Sequence, residues 1–145
     1  MKKNSKRLKR GNKILEEMGR EGLLSSQKET YPDLHNLTVG HLFGDIWTRP
    51  HLNLRDRQLI TLAANVALGR TTGNHSHYHS ALHLGITKEE IMELIIHVGH
   101  YAGWPTIGLA MRQLNRVLKV AAARKNGGKP TPAEVKAMSE EWERP

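Results

Sequence analysis

Residues 54–68, LRDRQLITLAANVAL, constrain the fold more than any other stretch of this chain. After the first turn, Leu59, Ile60, Leu62, Ala63, Ala64, Val66, Ala67 and Leu68 leave little polar surface on any side. Asn53 is suited to cap such a helix, Asp56 suits its positive end, and Gly69 can terminate it. A helix that is apolar nearly all round belongs at the centre of a domain. The expectation is therefore a buried central helix with the other segments packed around it.

Those segments repeat the helical period. Ile14, Leu15 and Met18 give a short amphipathic helix over 14–20, frayed by Gly19 and Gly22. Pro32 and Asp33 open a helix carrying Leu34, Leu37, Leu42 and Ile46. Gly40 and Gly44 inside it cost stability unless something packs closely against them. Pro50 disfavours helix at Arg49, which would leave Trp47 and Arg49 at the mouth of whatever the next helix builds. Thr87 and Glu90 form a capping box for a helix with Ile91, Leu94, Ile95 and Val98 on its core side. Tyr101–Pro105 breaks that helix, and Pro105 suits the start of a last long one bearing Ile107, Ala110, Met111, Leu114, Val117 and Leu118. Residues 126–130 read as a linker, and a second capping box at Thr131–Glu134 opens a short tail helix. No internal repeat or sustained alternation is present. The fold class is all-α, divided into a basic tail (1–13), a helical domain (14–123), and a linker with a short C-terminal helix (124–145).

Composition narrows the function. Cysteine is absent, which removes disulfides, thiolate metal sites, thiol nucleophiles and dithiol redox chemistry. No segment approaches the roughly 18 apolar residues of a membrane span, and no apolar run follows the charged start, so a cytoplasmic protein is expected. The net charge of +8 suggests nucleic acid, but seven of the 22 Lys and Arg lie in residues 1–13. Setting those seven aside leaves 15 basic against 14 acidic residues. The basicity thus belongs to a solvated, partly disordered tail, and neither nucleic acid nor membrane is expected as a partner.

Between the two apolar segments lies GRTTGNHSHYHSALHLG, with His75, His77, His79 and His83 in nine positions. On a helix His75, His79 and His83 share one stripe and His77 points nearly opposite. An HxxxH pair can ligate zinc, but no Asp or Glu lies nearby to complete a site, so a solvated face is the plainer reading and no metal is expected. His97 and His100 read the same way. A strand with three histidines on one face, as in a cupin, would need flanking strands, and both flanks read as helix. His77 is directed toward the core helices, near Arg57 or Tyr101, where a structural or a catalytic role are both open.

The strings FGDIWTRPHLNLRDRQLITLAANVALGR and HSALHLGITKEEIMELIIHVGHYAGWP resemble the 4-carboxymuconolactone decarboxylase family, within the alkylhydroperoxidase D-like superfamily. The resemblance covers roughly Tyr31 to Val120. It implies an all-helical domain assembled as a ring-like homo-oligomer, trimer or hexamer, and a cofactorless loss of CO2 from a carboxylated lactone in aromatic catabolism. It also sets the chain apart from the peroxidase branch, whose dithiol and nearby Glu would fall on Arg70, Gly73 and Gln58.

For that reaction the departing carboxylate is vinylogous to the lactone carbonyl, so its electrons flow into the ring as a dienolate. The protein must hold carboxylates, stabilise the developing oxyanion and return a proton to carbon. On the motif positions, the resemblance implies that Arg49 and Arg57 bind carboxylate and that His77 is the acid/base or oxyanion donor. His41 is a second candidate acid, and Trp47 and Tyr101 would wall a dry pocket. For either arginine a structural ion pair, such as Arg57 with Asp56 or Asp45, is the plainer alternative. Thr72, Gly73 and Asn74 depart from the family's residues before the motif His, as do His75 and His79, which points toward a different substrate. A related cofactorless enzyme, an isomerase among them, and a non-catalytic binding protein on the same scaffold remain the other readings.

Overall fold

Local signals set the helix ends. The Asn53 side chain accepts from the Asp56 amide at 2.7 Å. Thr87 and Glu90 close their capping box with bonds of 2.9 and 3.1 Å. Gly69, Gly85 and Gly103 take positive φ where helices end, a backbone state that an L side chain resists. The computed structural model describes residues 2–22, 24–71 and 73–122. Its elements are α1 (Lys2–Glu17), α2 (Ser25–Thr30), α3 (Pro32–His35), a π-helix (Asn36–Ile46), α4 (Leu54–Ala67), α5 (Asn74–His83), α6 (Lys88–Ala102) and α7 (Trp104–Ala122). Among the described residues there is no strand, and no helix is long and apolar enough to cross a membrane. The expected linker and tail helix lie outside the described residues.

Two apolar cores result. Leu62 and Val66 of α4, Tyr78 and Ala81 of α5, Ile86, Ile91 and Ile95 near and on α6, and Ala110, Leu114 and Val117 of α7 form the larger. Each fully buried Leu or Ile there contributes about 2 kcal/mol. Leu15 and Met18 with Val39, Phe43 and Trp47 form the smaller, flanked by Leu54 and Leu84.

The expectation that residues 54–68 are buried on all sides is corrected. Only the stripe Gln58, Leu62 and Val66 is buried in α4, while Ile60 is 53% and Leu68 67% exposed. Three packed neighbours cover less than the full circumference, so one apolar side of α4 faces outward.

The basic start is also more ordered than a solvated tail. Leu8, Ile14 and Leu15 share the inner side of α1, with Met18 in the turn that follows, and glycines bring the helix against the π-helix. A methyl group on Gly11 would strike the Val39 carbonyl, and one on Gly44 would strike the Arg7 carbonyl. The close partner that Gly44 required is therefore α1. Arg7 and Arg10 both pair with Asp45, at 2.6 and 2.7 Å, and Arg10 Nε donates to the Gly44 carbonyl at 2.9 Å. Charges read as a tail thus fasten a helix.

Candidate active site

Gln58 of α4 and Arg20 in the turn after α1 converge on His77 of α5. A buried polar clamp orients α5: Asn74 Nδ2 donates to Gln113 Oε1 at 3.1 Å, and Gln113 Nε2 donates to the Arg70 and Thr71 carbonyls at 2.9 and 3.2 Å. This fixes the start of the histidine stretch on α7.

The histidine stripe is the main correction to the sequence reading. His75 is 5% and His79 3% exposed, so the stripe faces inward and not into solvent. The cause is the turn Met18–Arg20, which covers that side of α5. Gly19, with φ of 70°, lies so close to the His83 ring that a side chain there would collide with it. Among the described residues no three His, Asp or Glu side chains gather into a metal site.

His77 is partly buried and faces α4. Gln58, fully buried, donates from Nε2 to the His77 carbonyl at 3.0 Å and lies 3.3 Å from His77 Nδ1. A carbonyl can only accept, so the amide orientation is settled by the first bond. Its second N–H then points to Nδ1, which must accept, leaving the ring hydrogen on Nε2. Burial, then the charges of Arg20 and His75, lower the His77 pKa from 6.5 to about 3. The imidazole is neutral at neutral pH and offers one N–H outward.

Arg57 sits beside Gln58 and its Nη2 donates to the Arg49 carbonyl at 2.6 Å. The two candidate arginines are therefore neighbours through a backbone carbonyl, with the Arg49 guanidinium in solvent-exposed position. The alternative of an ion pair between Arg57 and Asp56 or Asp45 is not what forms among the described residues. Between Arg49 and Asn53, His51 takes φ of 83°, the one non-glycine in that region among the described residues.

The other candidates are dispersed. Trp47 packs in the smaller core with its ring 5.6 Å from Phe43. Tyr101 is 83% exposed, its ring 5.2 Å from His97. His41 lies on the exposed side of the π-helix, 3.3 Å from Arg7 Nη2 and 3.5 Å from Asp45. Its partners are thus the ion network that fastens α1.

Two groups beside His77 were not singled out from the sequence. Gln58 had a signal: it is the polar member of the buried stripe it forms with Leu62 and Val66. Arg20 had none, because it follows a glycine-broken segment beside exposed acids. Yet it is buried, and its Nε donates to Ser80 Oγ at 2.7 Å. Burial lowers its pKa to about 10, which leaves it cationic.

Residues 32–116 match the model of the carboxymuconolactone decarboxylase family. The chain belongs to that family. It is 37% identical over 87 residues to the 4-carboxymuconolactone decarboxylase of Acinetobacter baylyi, covering 60% of this chain and 65% of that protein. It is 32% identical over 69 residues to the nitrosuccinic acid decarboxylase npaB of Metarhizium robertsii, covering 48% of each. The chain therefore spans less than two thirds of the length of these relatives. The matched segment includes Arg49, Arg57, Gln58 and His77, whereas α1 and Arg20 lie before it.

Proposed function

We propose that this protein is a cofactor-independent decarboxylase of a small dicarboxylic acid, a carboxylated lactone such as 4-carboxymuconolactone being the first candidate. The observation that carries the reading is the neutral His77, held by Gln58 with its hydrogen on Nε2, in a chain of this family whose next α4 residue, Arg57, bonds the Arg49 carbonyl. The names of the two relatives add to it. Both 4-carboxymuconolactone and nitrosuccinic acid are dicarboxylic acids bearing an acceptor group, lactone carbonyl or nitro, that can take up an electron pair.

In this mechanism the arginines at 49 and 57 hold carboxylate, the planar guanidinium matching its two oxygens. The carbon–carboxylate bond breaks, CO2 departs, and the electron pair moves through the ring to the lactone oxygen. His77 Nε2–H donates to that oxyanion. A pKa near 3 makes an imidazolium acid scarce at neutral pH, which favours the donor role over proton transfer. The carbon then takes a proton from solvent. Exposed apolar side chains of α4 and α6, among them Ile60 and Ile96, support assembly as a homo-oligomer.

Incubation with 4-carboxymuconolactone, followed by ultraviolet absorbance and CO2 release, tests the reading; no turnover of it or of nitrosuccinate refutes it. His77→Ala should lower kcat roughly 10²-fold, the effect of losing one oxyanion donor.

A further inference from the structure

We propose that Arg20 is an anion-binding residue of the His77 site, receiving a substrate carboxylate on the Nη2 edge of its guanidinium. The identity of the anion rests on the decarboxylase reading above; the existence of the site does not.

Arg7 and Arg10 share Asp45, Arg55 pairs with Glu90, and Arg57, which has no acid, is only partly buried. Arg20 differs. It is 5% exposed, no carboxylate among the described residues lies within ion-pairing reach, and its buried Nη2 has no hydrogen-bond partner. A buried cation without a counter-charge is costly to the fold. Its neighbouring acid, Glu21, points to solvent and does not help.

The placement explains the cost. Ser80, itself buried, takes the Nε hydrogen at 2.7 Å and so fixes the plane of the fork. Ser80 is three residues after His77 on α5, one turn away on a neighbouring face. Arg20 is thus anchored within a helical turn of the His77 ring, with one donor edge uncommitted. A carboxylate arriving there supplies the missing counter-charge, and a second polar atom of the same small molecule comes within reach of His77. Because Arg20 precedes residues 32–116, this contribution comes from outside the segment matched to the family.

The test is calorimetric titration of the full chain with succinate at pH 7, wild type against Arg20→Met, with thermal melting of the unliganded proteins. The expected result is binding by wild type, at least tenfold weaker binding by Arg20→Met, and a melting temperature for the variant equal to or above wild type. A structural arginine would give the opposite pattern, lower melting and unchanged affinity, and would overturn the proposal. Failure of the wild type to bind succinate also overturns it. If Arg20→Met does not fold, ¹⁵N spectra of the wild-type Arg20 guanidinium replace it: succinate should shift the Nη resonances, and an unmoved signal overturns the proposal. Decarboxylation measured on the same samples separates the two ideas. Arg20-dependent succinate binding without turnover removes the decarboxylase reading and keeps the anion site; turnover with Arg20-independent binding does the reverse.

Discussion

Gln58 meets His77 twice, at the backbone carbonyl (3.0 Å) and at ring Nδ1 (3.3 Å), so one amide fixes both the position and the tautomer of the imidazole. Gln58→Glu replaces a double donor with an acceptor. The His77 carbonyl loses its side-chain donor, and the new carboxylate favours a hydrogen on Nδ1. The expected outcome is a switch from the Nε2–H to the Nδ1–H or doubly protonated ring in ¹⁵N spectra. Stability should fall by roughly 1–3 kcal/mol, since a buried hydrogen bond is lost and a carboxylate takes the buried place of the amide. An unchanged ring spectrum would refute the tautomer assignment.

The depressed His77 pKa sets a pH dependence with a definite sign. In the unfolded chain the ring titrates near its ordinary 6.5, in the folded protein near 3. Between those values the unfolded state holds the extra proton, so stability from this residue is complete above about pH 6.5 and is lost as pH falls toward 3. Denaturant melts at pH 7, 5.5 and 4 should show a progressive loss, on the order of a few kcal/mol in total. His77→Asn should flatten that slope. Over pH 5–8 kcat should show no ionisation of His77, because the ring stays neutral.

Gly44 and Arg7 define how closely α1 approaches the π-helix. A methyl at Gly44 would overlap the Arg7 carbonyl, a backbone atom that cannot rotate away. Gly44→Ala should therefore cost roughly 1–3 kcal/mol, the range for overpacking a fitted interface. Arg20 follows α1 in the chain, so loosening α1 should also weaken succinate binding if Arg20 supplies an anion site. Urea unfolding and the succinate titration measure the two effects on one variant.

The sequence and the structure agree most where a local rule is self-contained. Caps at Asn53 and Thr87 and the stop at Gly69 depend on residues a few positions apart, and the structure has all three. The all-helical class followed from the period of the apolar residues. Burial of the histidine stripe was not legible, because it depends on Met18–Arg20 packing over α5 from 60 residues away. His75, His79 and His83 are polar by type, and nothing within the stretch says which side is covered. Helix α1 was misread for a related reason. Its charges read as solvated by type, yet Asp45 and the glycines at 40 and 44 of the π-helix receive it. The neighbourhood of Gln58 and His77 was half legible: the histidine stood out by pattern, and the glutamine was hidden inside an apolar run.

Ile60 stands at the centre of the last prediction. It lies with Leu59, Ala63, Leu94 and Val98 along a groove of about 500 Å³ between α4 and α6, bordered by Glu90, Glu93 and His97. Such an apolar surface with a polar border is the ordinary form of a protein contact, and a second copy seated there would account for residues 54–68 being apolar on a side that one chain leaves open. Ile60→Asp places a charge in that groove without touching the buried stripe of Gln58, Leu62 and Val66. If the groove joins copies of this chain, light scattering should show a smaller assembly for the variant at equal concentration, while its helical circular dichroism is retained. Burying an unpaired carboxylate at such a contact costs several kcal/mol, enough to shift association by two or more orders of magnitude. An assembly size identical to wild type would show that α4 and α6 do not form the contact.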